Sequence, residues 1–170
     1  MERVWKRGRL GSLVLLAVAA LLIVRPWEGG GAAGEGPRAV TAFVPRVVDG
    51  DTIEAIVDGR GQYVRYIGVD TPETVKPDTP VQCFGPRASA FDHHLVEGRR
   101  VRLVFGVERH DVYGRLLAYV YLGHRFVNAI LARRGLARPL TIPPNDRFAP
   151  LFERLALRAA RTGRGLWGKC

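Results

Sequence analysis

Between Thr41 and Val69 the chain reads TAFVPRVV, TIEAIV and YVRYIGV, three runs rich in β-branched and aromatic residues that follow one another almost without interruption. Runs of this kind predict strands, and the Asp58-Gly59 pair inside DGRGQ supplies a hairpin turn between the second and the third. The segment therefore predicts a three-stranded meander.

The rest of the chain adds helices without the regular strand-helix-strand alternation of a doubly wound sheet. After a loop holding Pro72, Pro77 and Pro80, Pro86 can open a helix through Ala88, Phe91 and Leu95 that Gly98 closes. VRLVFGV and LLAYVYL predict two further strands. A second helix runs from Phe126 to Arg134 with Gly135 as its stop, and a third starts near Asn145 or Asp146. That third helix places Phe148, Leu151, Phe152, Leu155 and Ala159 on one stripe and ends at Gly163. Three strands, a helix, two strands and two helices predict an α+β domain: a five-stranded Greek-key β-barrel of the OB type with about three α-helices.

The 170 residues suit one such domain with short extensions. The basic start MERVWKRGR precedes an apolar run from Leu10 to Val24, the pattern of an export signal. As a helix the run spans roughly 22 Å against about 30 Å of hydrocarbon, closer to a signal-peptide core than to a membrane span. Residues 1–26 are thus a cleaved signal peptide or an uncleaved signal anchor, 27–38 a Gly-rich linker and 39–170 the folded domain. The body is expected outside the cytoplasm, secreted or held on the outer face of the cytoplasmic membrane, with membrane contact only through an uncleaved N-terminal segment. In an oxidising compartment Cys83 and Cys170 can form a disulfide; two separate thiols are the alternative. Lys and Arg number 26 against 16 Asp and Glu, and four of the ten net charges fall in residues 1–25. The remaining excess, mostly arginine, favours a polyanionic partner.

Acids stand where a strand ought to bury apolar side chains, in VVDGDTI (Asp49, Asp51) and again in VDTPE (Asp70, Glu73). A hairpin can bring Asp51 and Asp70 to one rim, where two carboxylates repel unless a cation neutralises them. Oxygen donors favour calcium or magnesium, and no histidine or cysteine has convincing zinc spacing; His93 and His94 are expected to be solvated helix residues. Glu73 can reach the same centre as a general base or water-positioning group. Arg65 and Arg115 suit a phosphodiester gathering negative charge, although each alone also fits a surface ion pair.

These segments, VVDGDTI, VRYIGVDTPET, CFGPRASAF, DVYGRLLAYVY, VNAILARRGLA and GLWG, come in an order and spacing that resembles the staphylococcal nuclease (thermonuclease) family from about Val44 to Gly168. The resemblance implies a monomeric, calcium-dependent OB-fold phosphodiesterase that cleaves DNA and RNA and leaves 3′-phosphates. By motif, Asp51, Asp70 and the Thr71 carbonyl are implied as calcium ligands and Arg65 and Arg115 as phosphate clamps. Glu73 is implied as the acid that activates or orients water, and Tyr113 as a hydrogen-bond donor to a terminal phosphate. Asp49 is expected to support the loop.

The chain departs from the family pattern in two places. Arg138 to Asn145 reads RPLTIPPN where the family's bacterial member has a tyrosine-rich stretch, so base stacking is expected to be weaker. Val112 replaces a lysine. The other reading of the chain is a catalytically silent nucleic-acid-binding module of the same fold, against which stands the presence of all five charged residues.

Overall fold

The structure is a computed structural model that describes Met1, residues 38–75 and residues 77–170. The expected signal segment and linker lie outside the described residues apart from Met1 and Arg38. Among the described residues no helix is long and apolar enough to cross a membrane.

Five strands close on themselves. Strand β1 (Ala39–Val47) pairs with β2 (Thr52–Val57) on one side and with β5 (Arg100–His110) on the other. Strand β3 (Arg60–Tyr66) pairs with β2, β5 with β6 (Leu116–Leu122), and a parallel β3–β6 pairing completes the barrel. The architecture is the expected α+β, five-stranded OB barrel. The two-residue strand β7 (Arg125–Phe126) extends the sheet, and β4 (Val69–Asp70) pairs with β8 (Arg138–Pro139) as a separate ribbon.

Local chemistry sets the strand ends. Asp58 and Gly59 both have positive φ, so a tight two-residue turn joins Val57 to Arg60. Only those two residues leave the ladder, and β3 begins three residues before the expected YVRYIGV run. That strand also stops sooner, at Tyr66: Gly68 has φ 82°, and a Cβ there would fall 2.2 Å from the Phe152 ring. Val69 and Asp70 consequently turn away from β3 towards Arg138. In β1 the register shifts between Phe43 and Arg46, around Pro45, which has no N–H to give to a ladder. The bulge moves the inward phase from Ala42 and Val44 to Val47.

Helix α1 (Gly85–Val96) follows β4, α2 (Val127–Arg134) ends at a left-handed Gly135, and α3 (Ala149–Arg161) packs Phe152, Ala156 and Ala159 inward. A four-residue helix, α4 (Leu166–Lys169), is an addition to the expected three. Helix α3 also starts later than expected. Asn145 does not cap it, because its amide is engaged with β5: Nδ2 donates to the Glu108 carbonyl at 2.9 Å and Oδ1 accepts the Glu108 N–H at 3.1 Å. Cys83 and Cys170 are bonded, with Cα atoms 5.9 Å apart, which ties the entry to α1 to the last residue.

Candidate active site

The barrel rim gathers side chains from four places in the chain. Asp51 precedes β2, Arg65 lies on β3, Asp70 ends β4, and Arg115 leaves the turn before β6. Together with Thr71, Glu73 and Tyr113 they line one cleft of about 520 Å³. Every catalytic, metal-binding and phosphate-binding residue expected from the sequence is therefore on one surface.

Asp51 is 4% exposed. Its Oδ2 accepts the Thr71 hydroxyl at 2.9 Å and the Thr71 N–H at 2.5 Å, while Oδ1 lies 3.1 Å from Arg65 Nη1. Burial pushes the carboxyl up to about 7; Arg65 and the Thr71 bonds pull it down, and the nearby Asp49 charge adds to the rise. The pocket is thus short of positive charge even with a guanidinium present. Asp49 has another role: its Oδ1 accepts the Asp51 N–H at 3.0 Å and holds the turn. Gly50 is required beside it, because a Cβ there would sit 2.9 Å from the Thr71 side chain.

Arg65 joins the two acidic clusters. Its Nη2 is 2.8 Å from Asp70 Oδ1, and Nη1 donates to the Val69 and Tyr66 carbonyls at 2.8 and 3.1 Å. Asp70 is half exposed at the cleft. Glu73 bends back on its own loop, where one carboxylate oxygen accepts the Thr74 and Val75 N–H groups at 2.8 and 2.9 Å. Gln82 and Glu73 exchange further bonds that fix the loop.

Arg115 is oriented by a residue to which the sequence reading gave no role. Asp111 accepts the Arg115 Nε–H at 2.6 Å and the backbone N–H groups of Tyr113 and Arg115, each at 2.9 Å. Burial raises the Asp111 carboxyl, but these bonds outweigh it and hold the group below its ordinary value. The signal was present in DVYGR, an Asp opening a turn with Gly three residues on. Tyr113 is exposed, and its ring lies 5.4 Å from the Arg115 guanidinium.

An apolar pocket adjoins the cleft, with Arg65, Tyr113 and Arg115 common to both and Val112, Leu140 and Ile142 on its walls. Beneath Asp51 lies a pair that sequence reasoning missed. The Tyr66 hydroxyl donates to Asp92 Oδ2 at 2.9 Å, both residues are fully buried, and Asp92 Oδ1 has no partner. Desolvation raises both groups.

Among the described residues no three His, Cys, Asp or Glu side chains converge as a metal set. The oxygens of Asp51, Asp70 and Thr71 are nonetheless hard donors, and a buried carboxylate in need of positive charge fits a hard divalent cation completed by water.

Fold and cleft together define an OB-barrel protein with a rim of acids and arginines suited to phosphate esters. A family model described as Staphylococcal nuclease homologue matches residues 63–169, which takes in Arg65, Asp70, Thr71, Glu73, Tyr113 and Arg115 but not Asp51. The chain is 42% identical to the Thermonuclease of Staphylococcus intermedius over 164 residues, covering 92% of this chain and 95% of that protein. It is 38% identical to the Thermonuclease of Staphylococcus hyicus over 158 residues, with 93% and 92% covered. It is 40% identical to Endonuclease YncB of Bacillus subtilis over 134 residues, with 78% and 64% covered. The chain belongs to the staphylococcal nuclease family.

Proposed function

We propose that the protein is an exported, calcium-dependent nuclease that hydrolyses phosphodiester bonds of DNA and RNA and leaves 3′-phosphate ends. The observation that carries this reading is the meeting of Asp51, Arg65, Asp70, Thr71, Glu73 and Arg115 along one cleft. The relatives named thermonuclease and endonuclease support the reaction class. The disulfide and the basic, apolar N-terminal sequence support export. The domain acts as a monomer with residues 39–170 as the working unit.

Asp51, Asp70 and the Thr71 carbonyl would hold the cation. When bound, calcium supplies positive charge for the phosphoryl oxygens. Arg65 and Arg115 hold the scissile phosphate and meet charge as it builds on the equatorial oxygens. Glu73 accepts a proton from the attacking water or keeps that water in line. The water oxygen bonds to phosphorus as the water gives up a proton to Glu73 or to solvent, the bond to the 5′ oxygen breaks, and that oxygen takes a proton from solvent. Tyr113 donates to a terminal phosphate.

The test is digestion of single-stranded DNA, duplex DNA and RNA by the purified protein with calcium, with magnesium and with a chelator. Cleavage that needs calcium is expected. Activity indifferent to the chelator would refute the metal assignment, and binding without cleavage under every condition would identify a silent module.

A further inference from the structure

Three hollows run in series from the barrel rim, and the last has no part in the chemistry above. The catalytic cleft opens into the apolar pocket through Arg65, Tyr113 and Arg115. Asn145 in turn lines both that pocket and a third hollow of about 540 Å³ on its far side. This third cleft is walled by Arg38, Arg109 and Arg147 above a floor of Val104, Phe105 and Tyr119.

The floor is closed to solvent, with Phe105 and Tyr119 each 3% exposed, so it offers no face on which a base can stack. Apart from the exposed Val107 on its wall, what the cleft presents is positive charge. The Arg109 guanidinium lies 4.4 Å from the Phe105 ring centre and that of Arg147 lies 5.1 Å from the Phe148 ring centre. Outside the cleft lining, the Arg102 guanidinium lies 4.3 Å from the ring centre of Tyr121, its cross-strand partner. A guanidinium resting on a ring keeps its N–H edge outward and loses little freedom when it binds an oxyanion. Among the described residues none of Arg102, Arg109 and Arg147 has a carboxylate at ion-pair distance. Of the neighbouring acids, Glu108 lines the apolar pocket and not this cleft, and Asp146 lies outside the lining although its charge reaches Tyr119.

We propose that this arginine cleft is a second substrate site, which holds the sugar-phosphate backbone of a single strand after it leaves the apolar pocket and rounds Asn145. The inference rests on the nuclease reading for the identity of the strand. It deepens that reading, because it makes the enzyme prefer substrates longer than those the catalytic cleft alone engages. Charge without stacking reads phosphates and not bases, so the preference is for length and is indifferent to sequence.

The test compares the full chain with an Arg109→Gln/Arg147→Gln variant and an Arg109→Lys/Arg147→Lys variant, all checked by thermal melting. Binding of a twelve-nucleotide deoxythymidine strand is measured in chelator across a salt series, and kcat/KM is measured on a deoxythymidine dinucleotide with calcium. The glutamine variant is expected to bind the long strand about tenfold more weakly. Its log-log salt slope should be shallower by about 1.4, two single-strand phosphate contacts. Dinucleotide cleavage should be unchanged, and the lysine variant should keep the slope. An unchanged slope for the glutamine variant, or equal losses on both substrates, overturns the proposal. If the unaltered protein binds with the arginine-dependent slope yet never cleaves, the cleft stands and the nuclease reading falls; cleavage with an unaltered slope has the reverse meaning.

Discussion

Arg65 stands between two carboxylates, its Nη1 3.1 Å from Asp51 and its Nη2 2.8 Å from Asp70, so one guanidinium ties the acid that precedes β2 to the acid that ends β4. The Asp51 contact is buried and the Asp70 contact is half exposed, so the first contributes more to stability. Arg65→Ala leaves Asp51 buried without its counter-charge and is expected to cost about 2–4 kcal/mol of folding stability. Calcium should recover part of that loss, raising the melting temperature of the variant more than that of the parent. Urea and thermal denaturation with and without calcium measure both effects, and equal calcium shifts would disprove the coupling.

Asp111 positions Arg115 by accepting two hydrogen bonds from it, and a third from the Tyr113 N–H fixes the turn. Arg115→Ala is expected to lower kcat by about 10²–10³ with a smaller change in KM, as for the loss of one donor to transition-state charge. Asp111→Asn, which keeps the arginine but weakens its hold, should fall between variant and parent. Because the folded Asp111 carboxyl lies below its ordinary value, its stabilising contribution is present above that value and is lost as pH falls through the folded one. An NMR titration of Asp111 in the folded protein should therefore show a midpoint below the model-peptide carboxyl range. A midpoint within that range would contradict this account of the turn.

Asp92 has the opposite sign. Its folded carboxyl is raised by burial, so its contribution is greatest below the ordinary carboxyl value and declines as pH rises towards the raised one. Asp92→Asn keeps an acceptor for Tyr66 and removes the titration. The variant is expected to be more stable than the parent at neutral pH. Its advantage should shrink on acidification by up to about 1.4 kcal/mol per pH unit and vanish near the ordinary carboxyl value. Urea unfolding as a function of pH gives the curve, and a constant difference between the two proteins would rule this out.

The disulfide closes a sequence separation of 87 residues. Replacing both cysteines by serine is expected to lower the unfolding free energy by about 2–4.5 kcal/mol, the range that loop-closure entropy allows. Denaturant midpoints of the oxidised parent and the serine variant test this, and intact mass of the parent with and without reductant confirms the bond.

Leu140 and Ile142 wall the apolar pocket without offering an aromatic face. Ile142→Tyr should add a stacking surface worth about 1 kcal/mol, or roughly a fivefold lower KM, with kcat unchanged. A fall in kcat of the same size would mean that the new ring obstructs the cleft instead.

Much of this molecule was legible along the chain because its signals are local. Asp58-Gly59 demands a tight turn wherever it lies, Gly135 ends a helix because it accepts a left-handed φ, and the acids of VVDGDTI and VDTPE announce themselves by interrupting apolar runs. The same local reasoning placed a helix start at Asn145 and carried a strand through Gly68, and both positions are governed by distant partners. Asn145 is taken by Glu108, 37 residues away, and Gly68 yields to the Phe152 ring.

Amino-acid order alone was enough for the barrel and for the gathering of acids at its rim, since each follows from alternation or turn chemistry. Three things had to wait for the folded chain: that Arg65 meets both Asp51 and Asp70, what orients Arg115, and that Tyr66 and Asp92 share a buried bond across 26 residues. A side chain's partner is chosen by the packing of whole elements, in which burial turns a short polar contact into a requirement, and no period or spacing along the chain encodes that choice.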